Sequence, residues 1–241
     1  MQVEGKTVLV TGANRGIGKA LVDEALNKGA ARVYAGTRQQ LAHPDGRVIP
    51  VALDVTDPAQ IQAAVETVGS LDILINNAGV GVYDDLSDRA AIEQHLAVNL
   101  FGTYEVIQAF IPRLTESRGS IVNVASVAAF ASIPVLPAYS ISKAAVFSLT
   151  QSLRALLARQ GVSVDAVIAG PVDTDMTRGL EIPKCSPESV ARAILDGIEN
   201  GEEEIFPDPM SASMTDGWRT GVAKALERQN AQLIQAEPIA A

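Results

Sequence analysis

Short runs rich in valine, isoleucine and leucine alternate with amphipathic stretches over the first 170 residues of the chain. Near-continuous apolar runs are typical of parallel strands that are buried on both faces of a sheet. Six strands are predicted in this way, at residues 7–11, 32–37, 47–53, 71–75, 119–125 and 162–168. A short seventh strand is predicted at 204–206.

The stretches between the strands have helical spacing. They predict helices at residues 17–26, 58–68, 92–116 and 137–159, followed by a helix at 221–235. This alternation predicts an α/β fold, a Rossmann-type doubly wound parallel sheet of about seven strands flanked by helices. Residues 1–241 contain no internal repeat and no linker, so a single domain is expected. The segment at about 172–187 interrupts the pattern and is predicted to be a substrate loop, and a C-terminal extension begins at about 208.

Composition narrows the range of partners. The chain has 19 basic and 28 acidic residues, a net charge of −9, and this acidic balance disfavours nucleic acids and anionic membranes. The single cysteine, Cys185, allows neither an intrachain disulfide nor a cysteine-cluster zinc site. His43 and His95 are far apart in sequence, so no metal site is predicted. The N-terminus has no signal-peptide pattern and no apolar run approaches the roughly 20 residues of a membrane span. A cytoplasmic protein is therefore expected.

A glycine-rich segment connects the first strand to the first helix. It reads Thr-Gly-Ala-Asn-Arg-Gly-Ile-Gly over residues 11–18. Glycines allow the backbone to approach a pyrophosphate, and the first turn of a helix offers free N–H groups and the positive end of its dipole. The predicted cofactor contacts in this segment are Gly12, Asn14, Arg15, Gly16, Ile17 and Gly18.

The end of the second strand indicates which nicotinamide cofactor is used. An acidic residue there binds the ribose 2′-hydroxyl of NAD(H), but this chain has Thr37 and Arg38. The guanidinium groups of Arg38 and Arg15 suit the 2′-phosphate, which favours NADP(H) over NAD(H). Asp54 and Val55 end the third strand, where they are predicted to bind the adenine through a carboxylate and a backbone N–H.

Tyr139 and Lys143 lie four residues apart on a predicted helix, and Ser126 precedes them by thirteen residues. Residues four apart share one helix face, so the phenol lies beside a positive charge. Such a charge is expected to lower the pKa of Tyr139 and to make it a proton donor and acceptor. By itself this spacing most often arises by chance, and the other motifs are needed to support it.

Together with Asn76-Asn-Ala-Gly79 after the fourth strand and Asn99 in Val-Asn-Leu, these motifs resemble the short-chain dehydrogenase/reductase family. The resemblance covers residues 6–174 and keeps the family's order. It implies that Asn77, Ala78 and Gly79 lie along the cofactor. It also implies that Asn99, Ser126, Tyr139 and Lys143 are catalytic, with Lys143 also binding the nicotinamide ribose and Asn99 holding a water in a proton relay.

After the sixth strand the family usually has Pro-Gly, followed by a threonine four residues beyond the glycine. Here Gly170 and Thr174 keep their positions, but Ala169 replaces the proline and Pro171 follows the glycine. The resemblance implies that Gly170, Val172 and Thr174 contact the nicotinamide. The local shape of this turn is left open by the missing proline.

These observations predict an NADP(H)-dependent carbonyl reductase acting on a neutral ketone or aldehyde, because the candidate pocket segments 80–83, 128–136 and 176–180 are mostly apolar. An NAD-dependent secondary alcohol dehydrogenase is an alternative. A catalytically inactive nucleotide-binding regulator is less favoured, since it would need none of the four catalytic residues. A homo-oligomer, dimer or tetramer, is expected through the two long helices. The identity and stereochemistry of the substrate and the physiological direction stay open.

Overall fold

One parallel sheet of seven strands forms the centre of the computed structural model, which describes residues 1–39 and 41–236. The strands are β1 Thr7–Thr11, β2 Arg32–Thr37, β3 Val48–Ala52, β4 Ile73–Asn76, β5 Ser120–Val124, β6 Ser163–Val167 and β7 Glu204–Ile205. Their order in the sheet is β3-β2-β1-β4-β5-β6-β7, and every neighbouring pair is parallel. The predicted fold class is therefore confirmed.

Helices cover both faces of this sheet. Those of the main body are α1 Gly16–Asn27, α2 Pro58–Thr67, α3 Arg89–His95, α4 Thr103–Ser117, α5 Pro137–Leu157 and α6 Pro187–Asn200. The C-terminal extension contains α7 Pro209–Ala212, α8 Thr215–Arg219, α9 Val222–Ala231 and α10 Leu233–Ala236. Within the described residues, no helix combines the length and the apolar character needed to cross a membrane.

Side chains alternate between two separate cores along each strand. Val8 and Val10 of β1 point to the layer formed by α1 and α6, whereas Leu9 between them points to the layer formed by α2, α4 and α5. All three are fully buried. A strand with a core on each side can carry apolar residues at every position, which explains the uninterrupted runs in the sequence.

Helix α6 was missed by the sequence prediction although its signals are present. The Ser186 hydroxyl accepts a hydrogen bond from the Ser189 N–H, and Pro187 occupies the first helical position. Gly201 ends the helix with a φ of 71°. The buried face, spaced as in an amphipathic helix, consists of Val190, Ala191, Ile194, Leu195, Gly197 and Ile198.

The predicted helix at 92–116 is interrupted in the structure. Between α3 and α4 the backbone forms a π-helical segment, Leu96–Gly102, which contains Asn99. Such segments widen a helix locally and occur often at functional sites. The sequence predicts one helix here with a kink at Asn99, and apolar periodicity does not distinguish a π-helical turn from an α-helical one.

A buried carboxylate lies within β6. Asp165 is 5% exposed, and its Oδ2 accepts a hydrogen bond of 3.2 Å from the Ser120 hydroxyl on β5. Burial raises the pKa of Asp165 to about 7, although Arg154 and the Ser120 hydrogen bond partly oppose this rise. Because the folded pKa lies above the usual value, the stability that this group supports is present below about pH 4 and is lost as the pH rises through about 7.

We therefore expect Asp165→Asn to raise the free energy of unfolding at pH 8 by roughly 1–3 kcal/mol, with little effect at pH 4. The amide keeps an acceptor for Ser120 and carries no charge to desolvate. Urea unfolding of both proteins at pH 4–8 measures the difference. Parallel stability curves for the two proteins over this range would contradict the assignment.

Candidate active site

The glycine-rich segment forms a tight turn between β1 and α1. Gly12 and Gly16 have φ values of 66° and 53°, which side-chain-bearing residues rarely adopt. A Cβ on Gly18 would lie 2.1 Å from the carbonyl oxygen of Gly12. Arg15, at the N-cap of α1, makes no side-chain capping bond. The first backbone N–H groups of α1 therefore have no side-chain cap, and they lie next to glycines, which carry no side chains. This arrangement suits a pyrophosphate.

Asn77 and Thr11 connect this turn to the neighbouring strand. The Asn77 side-chain amide donates to the carbonyl oxygens of Thr11 and Gly12, at 3.0 and 3.2 Å. The Thr11 hydroxyl accepts from the backbone N–H groups of Asn77 and Ala78, both at 3.0 Å. These bonds join the ends of β1 and β4, where the strand order reverses and open α/β sheets form a ligand crevice.

Ser126, Tyr139 and Lys143 come from two elements that meet at this edge. Ser126 follows β5 and is buried, and its Oγ accepts a hydrogen bond of 3.1 Å from the Ala128 N–H. Tyr139 and Lys143 lie in the first two turns of α5, which begins at Pro137. Lys143 Nζ is 5.6 Å from the centre of the Tyr139 ring and donates to the Val124 carbonyl at 2.6 Å. The structure thus brings the three predicted residues together.

The pKa of Tyr139 differs from what the sequence predicts. Burial raises the pKa of Tyr139 above the usual phenol value, and a hydrogen bond with Ser126 offsets part of that rise. Burial also lowers the pKa of Lys143 to about 8. The lowering of the Tyr139 pKa expected from Lys143 is not observed, because desolvation is the largest cause of the shift and acts in the opposite direction.

Asn99 occupies the π-helical segment and faces α5. Its Oδ1 accepts from the Val80 N–H at 2.8 Å, and its Nδ2 donates to the Val80 carbonyl at 3.0 Å and to the Ser142 hydroxyl at 2.8 Å. The Ser142 hydroxyl donates in turn to the Tyr139 carbonyl at 2.7 Å. Both amide hydrogens of Asn99 are used, so a relay water would have to donate to this residue rather than accept from it. This side chain holds the loop after β4 against α5.

The residues predicted to bind the adenosine half of the cofactor lie at the carboxyl ends of β2 and β3. Thr37 is buried, and Arg38 is 70% exposed with Nη1 3.9 Å from Asp54 Oδ2. Asp54 accepts hydrogen bonds from the backbone N–H and the hydroxyl of Thr56, at 2.9 and 2.7 Å, which with Arg38 lower its pKa. The Asn14 amide donates to Gln39 at 3.4 Å. The exposed guanidinium of Arg38 therefore stands beside a carboxylate.

Arg15 contacts the substrate loop directly. Its Nη1 lies 3.0 Å from Asp175 Oδ2, and Asp175 also pairs with Arg178. Met176, in the same loop, approaches the segment after β4, because a Cβ on Gly81 would lie 3.1 Å from Met176 Sδ and 3.3 Å from Tyr139 Cδ2. The loop predicted at 172–187 therefore extends from the glycine-rich turn to the tyrosine.

Comparison with known proteins agrees with this geometry. A family model described as short chain dehydrogenase matches residues 6–183, more than half of the chain. The chain belongs to the short chain dehydrogenase family.

A short chain dehydrogenase from Burkholderia cenocepacia, solved in complex with NADP, is 35% identical with a TM-score of 0.86, over 99% of this chain and 100% of that one. An uncharacterized oxidoreductase from Staphylococcus epidermidis is 34% identical over 210 residues, which are 80% of this chain and 91% of that protein. A 3-ketoacyl-(acyl-carrier-protein) reductase from Brucella melitensis, complexed with NADH, is 26% identical with a TM-score of 0.75, over 87% and 93% of the chains. The chain is thus an oxidoreductase of this short chain dehydrogenase family.

Three contacts of this short chain dehydrogenase were missed from the sequence. Phe130, expected in the substrate pocket, stacks on Trp218 of the C-terminal extension, with ring centres 4.7 Å apart. His95, expected to be structural or on the surface, is fully buried, accepts from the Val82 N–H at 3.1 Å and meets the Tyr139 ring edge-on. Asp208 binds the Gly170 N–H. All three are long-range contacts that no local pattern reports.

Gly18→Ala is expected to weaken NADP(H) binding strongly and to destabilise the fold by about 1–3 kcal/mol, because its Cβ would overlap the Gly12 carbonyl. Gly69→Ala is a matched control, since no atom lies within 4 Å of the added Cβ. Thermal unfolding and NADPH fluorescence titration measure both effects. Wild-type affinity and stability in Gly18→Ala would contradict the tight turn.

Proposed function

We propose that this protein is an NADP(H)-dependent reductase that converts a neutral ketone or aldehyde to an alcohol by reversible hydride transfer. The observation that carries the proposal is the convergence of Ser126, Tyr139 and Lys143 beside the crevice between β1 and β4. A regulator that only binds a nucleotide would need no phenol hydrogen-bonded to a serine and no buried lysine at this place.

The residues of the crevice fit a dinucleotide. The turn at Gly12 and Gly18 leaves no room for side chains, and α1 offers uncapped N–H groups for the pyrophosphate. We assign the adenine to Asp54 and Val55 and the 2′-phosphate to Arg38. Further contacts of the cofactor are proposed at Asn14, Arg15, Gly16, Ile17, Thr37, Asn77, Ala78, Gly79, Gly170, Val172 and Thr174.

When bound, the nicotinamide supplies the hydride for the carbonyl carbon. Ser126 and Tyr139 handle the oxygen. Ser126 Oγ accepts from the Ala128 N–H and shares a hydrogen bond with Tyr139, and we propose that its hydroxyl hydrogen turns to the substrate oxygen and steadies the developing negative charge there. Tyr139 donates the proton that makes the alcohol. Its raised pKa keeps that proton in place at neutral pH, which favours reduction.

Lys143 supports this proton transfer from its position beside the Tyr139 ring. Its ammonium is fixed by the bond to the Val124 carbonyl, and a Cβ on Gly79 would lie 3.7 Å from Nζ. We propose that it binds the nicotinamide ribose and stabilises the phenolate that remains after proton donation. With a pKa of about 8, it can also return a proton to Tyr139. We propose Asn99 as the residue that keeps the loop at Val80 in register with this pair.

The cofactor preference rests on the end of β2, where Arg38 is free to turn toward a phosphate. The Burkholderia cenocepacia relative binds NADP, in line with this assignment. An NAD-dependent secondary alcohol dehydrogenase is a second candidate, because Asp54 lies 3.9 Å from Arg38 and the Brucella melitensis reductase was solved with NADH. The balance between these two charges decides the preference.

The entrance to the site is apolar. Val82, Tyr83, Val135, Met176 and Ile182 are each 44–58% exposed on the segments around Tyr139. The two cations of the loop at 172–187, Arg178 and Lys184, are paired with Asp175 and Asp173. An entrance without a free cation in these segments favours an uncharged substrate. The substrate class that fits this entrance is a neutral carbonyl compound with an apolar substituent.

We also propose that the protein acts in the cytoplasm as a homo-oligomer, a dimer or tetramer. The outer side of α4, α5 and the π-helical segment carries exposed apolar residues, of which Phe101, Tyr104 and Ile141 are 40–57% exposed. Apolar side chains on two long neighbouring helices are suited to a helix-bundle interface.

A panel of neutral ketones and aldehydes, assayed by NADPH consumption, tests the activity. Tyr139→Phe is expected to fold, to bind NADPH and to lose turnover by about 1,000-fold or more, because the proton donor is removed. Tyr104→Phe removes a phenol from the outer face of α4 and is expected to retain wild-type turnover. Retained turnover in Tyr139→Phe would refute the assignment of the acid.

Arg38→Asp should reverse the cofactor preference from NADPH toward NADH, because a carboxylate repels the 2′-phosphate and binds a 2′-hydroxyl. The ratio of kcat/KM for the two cofactors is the measurement. Arg192→Asp on α6 changes the net charge equally, outside the proposed cofactor contacts, and should leave the ratio unchanged. An equal shift in both variants would indicate a general charge effect and would contradict the role of Arg38.

A further inference from the structure

The C-terminal extension reaches the crevice through one buried carboxylate. Asp208 lies three residues after β7 and is 5% exposed. Its Oδ2 accepts a hydrogen bond of 2.7 Å from the backbone N–H of Gly170, and its Oδ1 accepts one of 3.0 Å from the N–H of Ser211, which caps α7. One side chain therefore joins the extension to the turn after β6.

The contact between Asp208 and Gly170 is closely fitted. A Cβ on Gly170 would lie 2.5 Å from Asp208 Oδ1, so only glycine allows the carboxylate to approach so near. The Ser211 hydroxyl donates a further hydrogen bond of 2.7 Å to Oδ2. Hydrogen bonds from two segments of the chain therefore converge on this one carboxyl group.

The turn held in this way spans the crevice. At one end, the Ala169 carbonyl accepts a hydrogen bond of 3.0 Å from the N–H of Val127, the residue after Ser126. At the other end, Thr174 packs on the glycine-rich turn, since a Cβ on Gly16 would lie 3.1 Å from Thr174 Cγ2. Ala169 cannot restrict the backbone as a proline would. Asp208 restrains this turn from the C-terminal extension.

We propose that Asp208 is a positioning residue for hydride transfer: it fixes the Gly170 turn, which sets the place of the nicotinamide relative to Ser126 and Tyr139. This inference rests on the proposed function. Reaction rates depend steeply on such placement, and a shift of about 1 Å can cost on the order of 100-fold.

Asp208→Asn tests this role, because it keeps the size of the side chain but replaces one acceptor oxygen with a donor. In the cofactor-free protein, we expect the Gly170 amide to exchange its hydrogen at least about tenfold faster, as measured by NMR. With saturating NADPH, we expect kcat to fall about 10- to 100-fold and the isotope effect from deuterated NADPH to increase. The affinity for NADPH should change far less than kcat.

Asp208→Ser is the second variant, because serine can still cap α7 but is too short to reach the Gly170 N–H. It should reproduce the kinetic loss even if Asp208→Asn does not fold. Ser211→Ala is the matched control: it removes a partner of Asp208, leaves the Gly170 bond, and should keep both the amide protection and kcat while lowering stability slightly.

A fast-exchanging Gly170 amide with unchanged kcat and isotope effect in Asp208→Asn would overturn the positioning role. An equal loss of kcat in Ser211→Ala would overturn it too, since capping of α7 would then explain the effect. Wild-type protein that binds NADPH but reduces no carbonyl compound would refute the proposed function itself, and this outcome is distinct from both.

Discussion

The close joining of β1 and β4 at their carboxyl ends is the constraint on which the site depends. The Asn77 amide and the Thr11 hydroxyl make four hydrogen bonds across the point where the strand order reverses. These bonds satisfy backbone N–H and carbonyl groups at the crevice. The glycine-rich turn is therefore held in place although its glycines carry no side chains. The same segment continues to Val80, which Asn99 holds against α5. Helix α5 and the glycine-rich turn thus share one support.

Desolvation is the largest cause of the pKa shifts of Tyr139 and Lys143. Tyr139 and Lys143 lie together as their spacing predicts, yet the pKa of the phenol is raised and that of the ammonium is lowered. Both shifts favour the uncharged forms, which is the effect of desolvation. A protonated phenol beside a serine donor suits the reduction of a carbonyl group. In the proposed reaction, the substrate oxygen develops negative charge as the hydride is transferred, and it loses that charge when it takes the proton from Tyr139.

The C-terminal extension is held by a buried charge cluster on the far side of α5. Lys224 is 2% exposed and pairs with Glu203, Glu204 and Glu227 at 2.7–2.9 Å, and Arg154 pairs with Glu204 at 2.8 Å. Removing one partner of a buried ion pair destabilises the fold, because it leaves an unpaired buried charge. The cluster therefore favours a single position of the C-terminal extension. From this position the extension reaches the turn after β6 through Asp208, and it reaches Phe130, four residues after Ser126, through Trp218. An element outside the motifs of the family therefore supports two walls of the site.

The sequence by itself determined the sheet and the order of the motifs, because strand periodicity and short spacings such as Tyr139 to Lys143 are local properties of the chain. It did not disclose the π-helical segment at Asn99, since apolar spacing is nearly the same in α and π turns. Helix α6 was readable from Ser186, Pro187 and Gly201 but was overlooked. Only the tertiary structure decided the pKa of Tyr139 and the roles of Phe130 and Asp208. Desolvation and contacts between residues 38 or 88 positions apart arise when distant segments pack, and no local pattern encodes them.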